Sequence, residues 1–141
     1  MNQTHITLVG NVVTDVATTT TPGGVETASF RMATTPRRYD RGIGAWVDGD
    51  TSYVRVTAWR RLARHVAESL AKGDPVVVHG TMRVREWDGA DGQRRTSVDV
   101  EAASIGHDLA RGTSVFHRAA RRDAAVDAGT ANAQVAPLPA A

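Results

Sequence analysis

The order of strand-like and helix-like segments is the feature that most constrains the fold of this 141-residue chain. Five segments are rich in β-branched residues and alternate between apolar and polar side chains, as half-buried β-strands do. They cover residues 5–13, 25–34, 51–59, 75–87 and 96–105. One amphipathic helix is predicted at residues 60–71, between the third and the fourth strand. This order predicts an all-β domain with a single helix.

The predicted helix has an apolar stripe and a clear end. Leu62, Val66 and Leu70 recur every four residues, so they lie on one side of the helix. Gly73 and Pro75 follow, and this pair is typical of a helix C-terminus. The helix is therefore expected to pack that stripe against the strands.

Five strands with one helix between the third and the fourth match the OB-fold, a five-stranded Greek-key barrel that binds oligonucleotides on one face. We assign this domain to residues 1–110 and a flexible, disordered C-terminal tail to residues 111–141. The tail is rich in alanine and has little aromatic content beyond Phe116, so it cannot bury enough apolar surface to become ordered. A short helix over residues 114–125 is the alternative for its first part.

The connections between the strands have signals of their own. The sequence DGADG at residues 88–92 predicts a hairpin turn between the last two strands. Residues 18–24, TTTTPGG, predict a turn region, and residues 35–50 predict a long loop. Gly10 predicts a bend or a bulge in the first strand.

The composition excludes several classes of protein. Cysteine is absent, which excludes disulfide scaffolds, thiol catalysis and cysteine-ligated metals. No apolar run approaches the roughly 20 residues of a membrane span, and the first residues lack a signal-peptide pattern. His65 and Glu68 lie three residues apart, but no third metal ligand follows at a recognisable spacing. We expect a cytoplasmic protein without cofactor or metal, and not an enzyme, because no Walker loop, nucleophile elbow or paired-carboxylate site is present.

The third and fourth predicted strands each place aromatic and arginine side chains on one face. Side chains alternate between the two faces of a strand. The face expected to point inward carries Val54, Val56 and Ala58 in the third strand and Val76, Val78, Met82 and Val84 in the fourth. The opposite face carries Tyr53, Arg55, Thr57 and Trp59 in the third strand and His79, Thr81, Arg83, Arg85 and Trp87 in the fourth.

Aromatic rings interleaved with arginine form the surface that single-stranded nucleic acid needs. Unpaired bases stack on exposed rings, while arginine pairs with phosphates. A duplex hides the faces of its bases, so such a surface prefers single strands. The alternative is that the rings are core or interface residues, and for Trp59, which precedes the helix, the two interpretations carry equal weight. Two interpretations of His79 also carry equal weight: it contacts nucleic acid, or it is an ordinary surface residue.

Four motifs in the same order resemble the bacterial single-stranded-DNA-binding protein family. They are LVGNVVTD at residues 8–15, FRMAT at 30–34, LARHVAESLAKGDPVVVHG at 62–80 and RVREWDGADGQRRTSVDV at 83–100. The resemblance covers about residues 4–108. It implies an OB-fold that assembles as a homotetramer and binds single-stranded DNA without sequence preference.

The resemblance also implies a set of binding residues. The family's base-stacking aromatic positions correspond here to Tyr39, Tyr53, Trp59 and Trp87. The family usually has tryptophan at the first two of these positions and phenylalanine at the third, so aromatic character is kept. The arginines expected to pair with phosphates are Arg31, Arg37, Arg38, Arg41, Arg55, Arg83, Arg85, Arg94 and Arg95.

The C-terminal sequence departs from the family's principal members. Those members end in an acidic tip that docks replication and repair enzymes, whereas this sequence closes on VAPLPAA. Its last 33 residues hold four arginines and two aspartates. We therefore expect no enzyme recruitment through an acidic tip. The segment IGHDLARGT at residues 105–113 adds to a resemblance to short-tailed actinobacterial paralogues.

The function expected is the binding and protection of single-stranded DNA in replication, recombination, repair or chromosome segregation, at the nucleoid in the cytoplasm. Two alternatives stay open. OB-folds also bind single-stranded RNA, and the barrel face could instead make only protein contacts, with its aromatic rings buried between subunits. An enzyme is a distant third interpretation, because no polar groups gather at one site.

Overall fold

Eight strands and one helix make up the computed structural model, which describes residues 3–119. The strands are β1 (Thr4–Val12), β2 (Ala17–Thr20), β3 (Glu26–Thr34), β4 (Arg37–Asp40), β5 (Ala45–Asp48), β6 (Ser52–Trp59), β7 (Pro75–Asp88) and β8 (Arg94–His107). The helix, α1 (Arg60–Ser69), follows β6 directly. No helix in this part of the chain is long and apolar enough to cross a membrane.

Six of the strands form one sheet that closes into a barrel. Its order is β1–β7–β8–β6–β3–β2, and the additional pairing of β1 with β3 closes the ring. β6 and β8 run parallel, whereas the other pairs are antiparallel. The five principal strands are those expected from the sequence, and the helix lies between the third and the fourth of them. This arrangement is the predicted Greek-key OB barrel.

Three short strands were not expected. The predicted loop over residues 35–50 is wrong in part, because β4 and β5 pair there as an antiparallel hairpin. The amide of Gly42 donates to Asp40 Oδ1 at 2.8 Å and Gly44 has a φ of +67°, so a tight turn joins the two strands. The predicted turn at residues 18–24 is also wrong in part, because its residues 18–20 belong to β2, which pairs with β3.

The chain after β8 is not helical as far as the structure describes it. The short helix over residues 114–125, the alternative to a disordered tail, is absent up to residue 119, and its remainder lies outside the described residues, as do residues 120–141. His107 links this segment to the loop before β7: its Nε2 lies 3.1 Å from Asp74 Oδ2 and its Nδ1 lies 2.7 Å from Ser114 Oγ.

The core is built from the inward faces that the sequence predicted. Met32, Val56, Val76 and Val78 are fully buried, with Ala28, Phe30, Val54, Ala58 and Val100 around them. Helix α1 covers the core with Ala63, Val66 and Leu70, and Leu62 packs partly against it. One inward assignment is wrong. Val84 is 52% exposed, because β7 and β8 extend beyond the barrel as a free hairpin and no residue of β7 after Gly80 is buried.

Gly10 has a different role from the predicted bend or bulge. The ladder between β1 and β7 runs through Gly10 without a register shift. A Cβ at this position would lie against the backbone carbonyl of Ala33, well inside contact distance. Glycine is therefore required where β1 comes close to β3 to close the barrel. The sheet's register shift lies instead between β7 and β8, at His79 and Gly80.

Candidate nucleic-acid interface

The outward faces of β3, β6, β8 and β7 form a continuous surface, which we call the platform. β6 places Tyr53, Arg55, Thr57 and Trp59 on it, as predicted, and Val54, Val56 and Ala58 point inward. Tyr53 is 53% exposed and Trp59 is 40% exposed, so both rings reach solvent in the chain. On β7, Trp87 is 44% exposed beside Arg85. Thr57, Trp59, Arg83, Arg85, Asp99 and Glu101 line a shallow depression of about 150 Å³ on this surface.

One row of charged residues crosses the platform. The strand registers pair Arg31 of β3 with Arg55 of β6, Arg55 with Asp99 of β8, and Asp99 with Arg83 of β7. Side chains directly opposite each other on neighbouring strands lie about 5 Å apart at their Cβ atoms, and like charges there repel. Within residues 3–119, neither Arg31 nor Arg55 forms an ion pair with a carboxylate. A bound anion such as a phosphate would relieve the repulsion between these two guanidinium groups.

Two arginines lie over aromatic rings of the platform. The Arg31 guanidinium is 5.6 Å from the centre of the Tyr53 ring, and the Arg85 guanidinium is 5.5 Å from the Trp87 ring. Cation–π contacts at exposed sites stabilise by about 0.5–1 kcal/mol. They also hold each guanidinium next to the ring on which a base would stack, so a base and its phosphate can be bound side by side.

The β7–β8 half of the platform also carries carboxylates. Arg85 Nε lies 2.8 Å from Asp99 Oδ2, and Arg83 Nη2 lies 3.9 Å from Glu101 Oε2. At the tip of the β7–β8 hairpin, Arg94 pairs with Glu86 at 3.1 Å and with Asp88 at 3.6 Å, and Arg95 pairs with Asp91 at 3.0 Å. The arginines of this half are therefore partly neutralised, unlike those of β3 and β6.

The β4–β5 hairpin carries a second pair of rings. Tyr39 and Trp46 are opposite each other in the register and pack edge to face with their centres 5.6 Å apart. Tyr39 is 50% exposed and Trp46 is 61% exposed. Among the described elements, the hairpin contacts no other helix or strand. Only its base is tied down, by a 2.8 Å hydrogen bond between the hydroxyls of Thr35 and Thr51 and by the amide of Gly49 donating to Pro36 O.

The expected phosphate-binding arginines of this hairpin differ from one another. Arg37 Nε lies 3.6 Å from Asp48 Oδ1, and Arg37 Nη2 donates to the carbonyl of Trp46 at 3.3 Å. Arg38 and Arg41 are exposed and form no ion pair with a carboxylate in the described part of the chain. The structure thus brings Tyr53, Trp59 and Trp87 onto the platform, whereas Tyr39 lies on a separate hairpin.

His79 lies at the far side of the outward surface. Its Nδ1 is 2.8 Å from Thr7 Oγ1, and its ring stacks with that of His5 at 6.3 Å between centres. The ring is therefore engaged with β1 rather than with the aromatic residues of the platform. No group of three or more His, Asp or Glu side chains that could hold a metal ion is found within residues 3–119.

Comparison with profiles of protein families finds a match over residues 2–108, to the single-strand binding protein family. The chain belongs to this family. Membership confirms the resemblance found in the four sequence motifs. It also confirms the interpretation that the chain is not an enzyme, because the proteins of this family are non-enzymatic DNA-binding proteins.

Two relatives in the single-strand binding protein family are proteins of actinobacteria. The chain is 49% identical over 124 residues to Single-stranded DNA-binding protein 1 of Streptomyces coelicolor, and the aligned region covers 88% of this chain and 78% of that protein. It is 44% identical over 114 residues to Single-stranded DNA-binding protein 2 of Tropheryma whipplei, and the aligned region covers 81% of this chain and 74% of that protein.

Solved structures confirm the OB-fold. The crystal structure of the small single-stranded DNA-binding protein from Streptomyces coelicolor matches with a TM-score of 0.72 and 48% identity, over 79% of this chain and 100% of that chain. The second such protein of Mycobacterium smegmatis, SSBb, matches with a TM-score of 0.62 and 32% identity, over 83% of this chain and 100% of that chain.

Trp46 is a candidate binding residue that the sequence reasoning missed. The sequence shows it only as an aromatic residue in a glycine-containing segment, whereas the structure places it against Tyr39. The signal that could have found it is the symmetry of RRYD and AWVD around the turn at residues 41–44. Two four-residue segments with one ring each, separated by a turn with two glycines, are typical of a hairpin.

Proposed function

We propose that this chain binds single-stranded DNA without sequence preference, on the platform and the β4–β5 hairpin. The observation that carries the proposal is the row in which Arg31 and Arg55 face each other beside the exposed Tyr53 ring. Two arginines that face each other on neighbouring strands, with no ion pair to a carboxylate within residues 3–119, favour an anionic ligand, and the ring beside them favours a flat one. A nucleotide of a single strand combines both chemical groups.

Each part of the proposed interface has its own task. Bases stack on the aromatic rings of the platform, which are Tyr53, Trp59 and Trp87, and on those of the hairpin, Tyr39 and Trp46. Because every base has a π-face, this stacking does not depend on sequence. The arginines that pair with phosphates are those without an ion pair to a carboxylate in the described part of the chain: Arg31, Arg38, Arg41 and Arg55. Release of counterions from the bound phosphates adds affinity that falls as salt rises.

We also propose that the chain acts as a homotetramer. β1 pairs with β7 along one edge, but with β3 only at Asn11 and Val12. Within residues 3–119, the edge of residues 4–10 thus offers unpaired amides and carbonyls, and such edges pair with another strand when nothing covers them. Light scattering on the purified chain should give four times the mass of one chain, independent of loading concentration. A mass equal to one chain or to two chains would reject the homotetramer.

Competition between nucleic acids tests the proposed ligand. A labelled oligo-dT bound to the protein should be displaced by unlabelled oligo-dT but not by a duplex of equal length. Oligo-U is the third competitor, because an OB-fold can also bind RNA. If oligo-U displaces the label as effectively as oligo-dT does, the ligand is single-stranded RNA as well as single-stranded DNA, and a preference for DNA is rejected. Displacement by the duplex would contradict the stacking mechanism.

The binding domain is proposed to comprise residues 1–110 and the tail residues 111–141. The platform and both hairpins lie before residue 108, which supports this division. Deletion of residues 115–141, which keeps the contact between His107 and Ser114, should leave the Kd for oligo-dT within about twofold of the full chain. A tenfold loss in a fluorescence-anisotropy titration would show that the tail, with its arginines, binds DNA directly.

The proposed activity fits processes that expose single-stranded DNA: replication, recombination, repair and chromosome segregation. We place it in the cytoplasm at the nucleoid, because the chromosome is unwound there. These processes share exposed single-stranded DNA as the ligand, so success of the competition experiment would support them and its failure would reject them.

A further inference from the structure

The platform contains two acidic residues that a phosphate-binding surface does not need. β8 lies between β6 and β7 in the sheet, and it directs Asp99 and Glu101 outward. Asp99 is opposite Arg55 on one side and opposite Arg83 on the other. These carboxylates therefore lie between the arginines that would meet the DNA, rather than at the rim of the surface.

The ion pairs divide the platform into two unequal halves. Asp99 is the less exposed partner of its pair, with 22% of its side chain accessible, and it holds Arg85 at 2.8 Å. Ser97 Oγ donates to the other oxygen of the same carboxylate at 3.4 Å. Glu101 holds Arg83 more loosely, at 3.9 Å with both side chains more than half exposed. The arginines of β3 and β6 are open to an anion, whereas those of β7 already have one.

We propose that Asp99 is an intramolecular competitor of DNA phosphate and limits the affinity of the platform for single strands. The proposal rests on the proposed function. In the free protein Asp99 occupies Arg85 beside the Trp87 ring, so a strand that stacks a base on Trp87 must bring its phosphate to an arginine that is already neutralised. Glu101 acts in the same direction on Arg83, with a smaller effect because its pair is longer and more exposed.

Screening does not remove this effect at moderate salt. The Debye length is about 10 Å at 0.1 M salt, which is longer than the distance from Asp99 to its neighbours in the row. The carboxylate therefore repels a phosphate bound at Arg55 as well as one bound at Arg85. An arginine that exchanges one anion for another also releases fewer counterions, so the salt dependence should be shallower than the number of platform arginines implies.

Asp99 could instead position Arg85 for DNA binding, and this role predicts the opposite change in affinity. If Asp99 mainly holds Arg85 in position over Trp87, its removal would leave Arg85 less ordered and weaken binding. The sign of the change in affinity therefore separates competition from positioning. The row of charges favours competition, since Asp99 faces Arg55 as well as Arg83, and since Arg85 has a contact besides Asp99, with the Trp87 ring 5.5 Å away.

The test measures the Kd for oligo-dT over a series of KCl concentrations for the full chain and its Asp99→Asn, Glu101→Gln and Glu26→Gln variants. Asp99→Asn should bind about 3- to 10-fold more tightly at low salt, and its plot of log K against log[salt] should be steeper by about 0.7. Glu101→Gln should also tighten binding and steepen the salt dependence, but by smaller amounts than Asp99→Asn. Glu26→Gln is the matched control, because Glu26 pairs with Arg64 of α1 at 3.2 Å, away from the platform, and the substitution changes the net charge equally.

Several outcomes would overturn the inference. Unchanged or weaker binding by a folded Asp99→Asn variant would reject competition, and so would an equal gain in Glu26→Gln, which would show that only net charge matters. If Asp99→Asn does not fold by circular dichroism, Glu101→Gln decides the question by the same criteria. Failure of the unaltered chain to bind oligo-dT at any salt would instead reject the proposed function on which this inference rests.

Discussion

Replacement of Trp87 by alanine should weaken the binding of oligo-dT by about 1–3 kcal/mol, or roughly 5- to 150-fold in Kd. Trp87 is 44% exposed on the part of β7 that extends beyond the barrel, so its ring is available to a base and contributes little to the core. The Arg85 guanidinium over the ring brings a positive charge to the same place. Isothermal titration or fluorescence anisotropy at fixed salt would measure the loss.

Two further variants separate stacking from a general effect of the substitution. Trp87→Phe keeps an aromatic ring and should recover most of the affinity. Val84→Ala removes an exposed apolar side chain from the same strand, three residues away, and should leave Kd within about twofold. Equal losses in the Trp87→Ala and Val84→Ala variants, or full affinity in Trp87→Ala, would remove Trp87 from the interface.

Gly10→Ala should destabilise the fold by about 1–3 kcal/mol or more, the range found when extra atoms are forced into a packed site. The added Cβ would lie against the carbonyl of Ala33, which is backbone and cannot turn aside as a side chain could. Because β1 meets β3 here to close the barrel, one of the two strands has to shift. Chemical denaturation monitored by circular dichroism would give the difference in the free energy of unfolding.

Gly106→Ala provides the control for this experiment. Gly106 also lies in a strand, β8, but nothing lies within 4 Å of a Cβ added there. This variant should be about as stable as the unaltered chain, or slightly more stable, because alanine restricts the unfolded chain more than glycine does. If Gly10→Ala is as stable as Gly106→Ala, the close approach of β1 and β3 does not limit the fold.

The sequence predicted the barrel well because its strands have one inward and one outward face. In β6 the small apolar residues Val54, Val56 and Ala58 are buried, and the rings and arginine between them are exposed, as strict alternation requires. The same rule failed at Val84, since β7 leaves the barrel there and its residues 83–88 are all exposed. Periodicity shows that a strand has two faces, but it does not show where the core ends.

The short strands escaped prediction for a related reason. Both faces of the β4–β5 hairpin are largely exposed, so its sequence lacks an apolar alternation, and its glycines favoured a loop. The contact between Tyr39 and Trp46 depends on pairing across the turn, which the linear sequence shows only faintly. Hairpins of this kind become evident only when their pairing is seen.

The distribution of charge could not be predicted from the sequence either. Asp99 and Glu101 are two acidic residues in a predicted strand. The hairpin turn predicted at residues 88–92 makes this strand a neighbour of the one with Arg83 and Arg85, but the sequence does not show which acidic residue pairs with which arginine. That Asp99 also faces Arg55 depends on the position of β8 between β6 and β7 in the sheet. An arginine list drawn from the sequence treats all its members alike, whereas the structure separates the arginines with a carboxylate partner from those without one.

A tryptophan-fluorescence titration with oligo-dT tests the central claim most directly. We expect strong quenching by the single strand, saturating and weakened by salt, because Trp59 and Trp87 lie exposed on the platform and Trp46 on the hairpin. A duplex of the same length should produce little change. Unchanged fluorescence with oligo-dT, at a salt concentration low enough to favour phosphate binding, would contradict base stacking on these rings and favour a surface that makes only protein contacts.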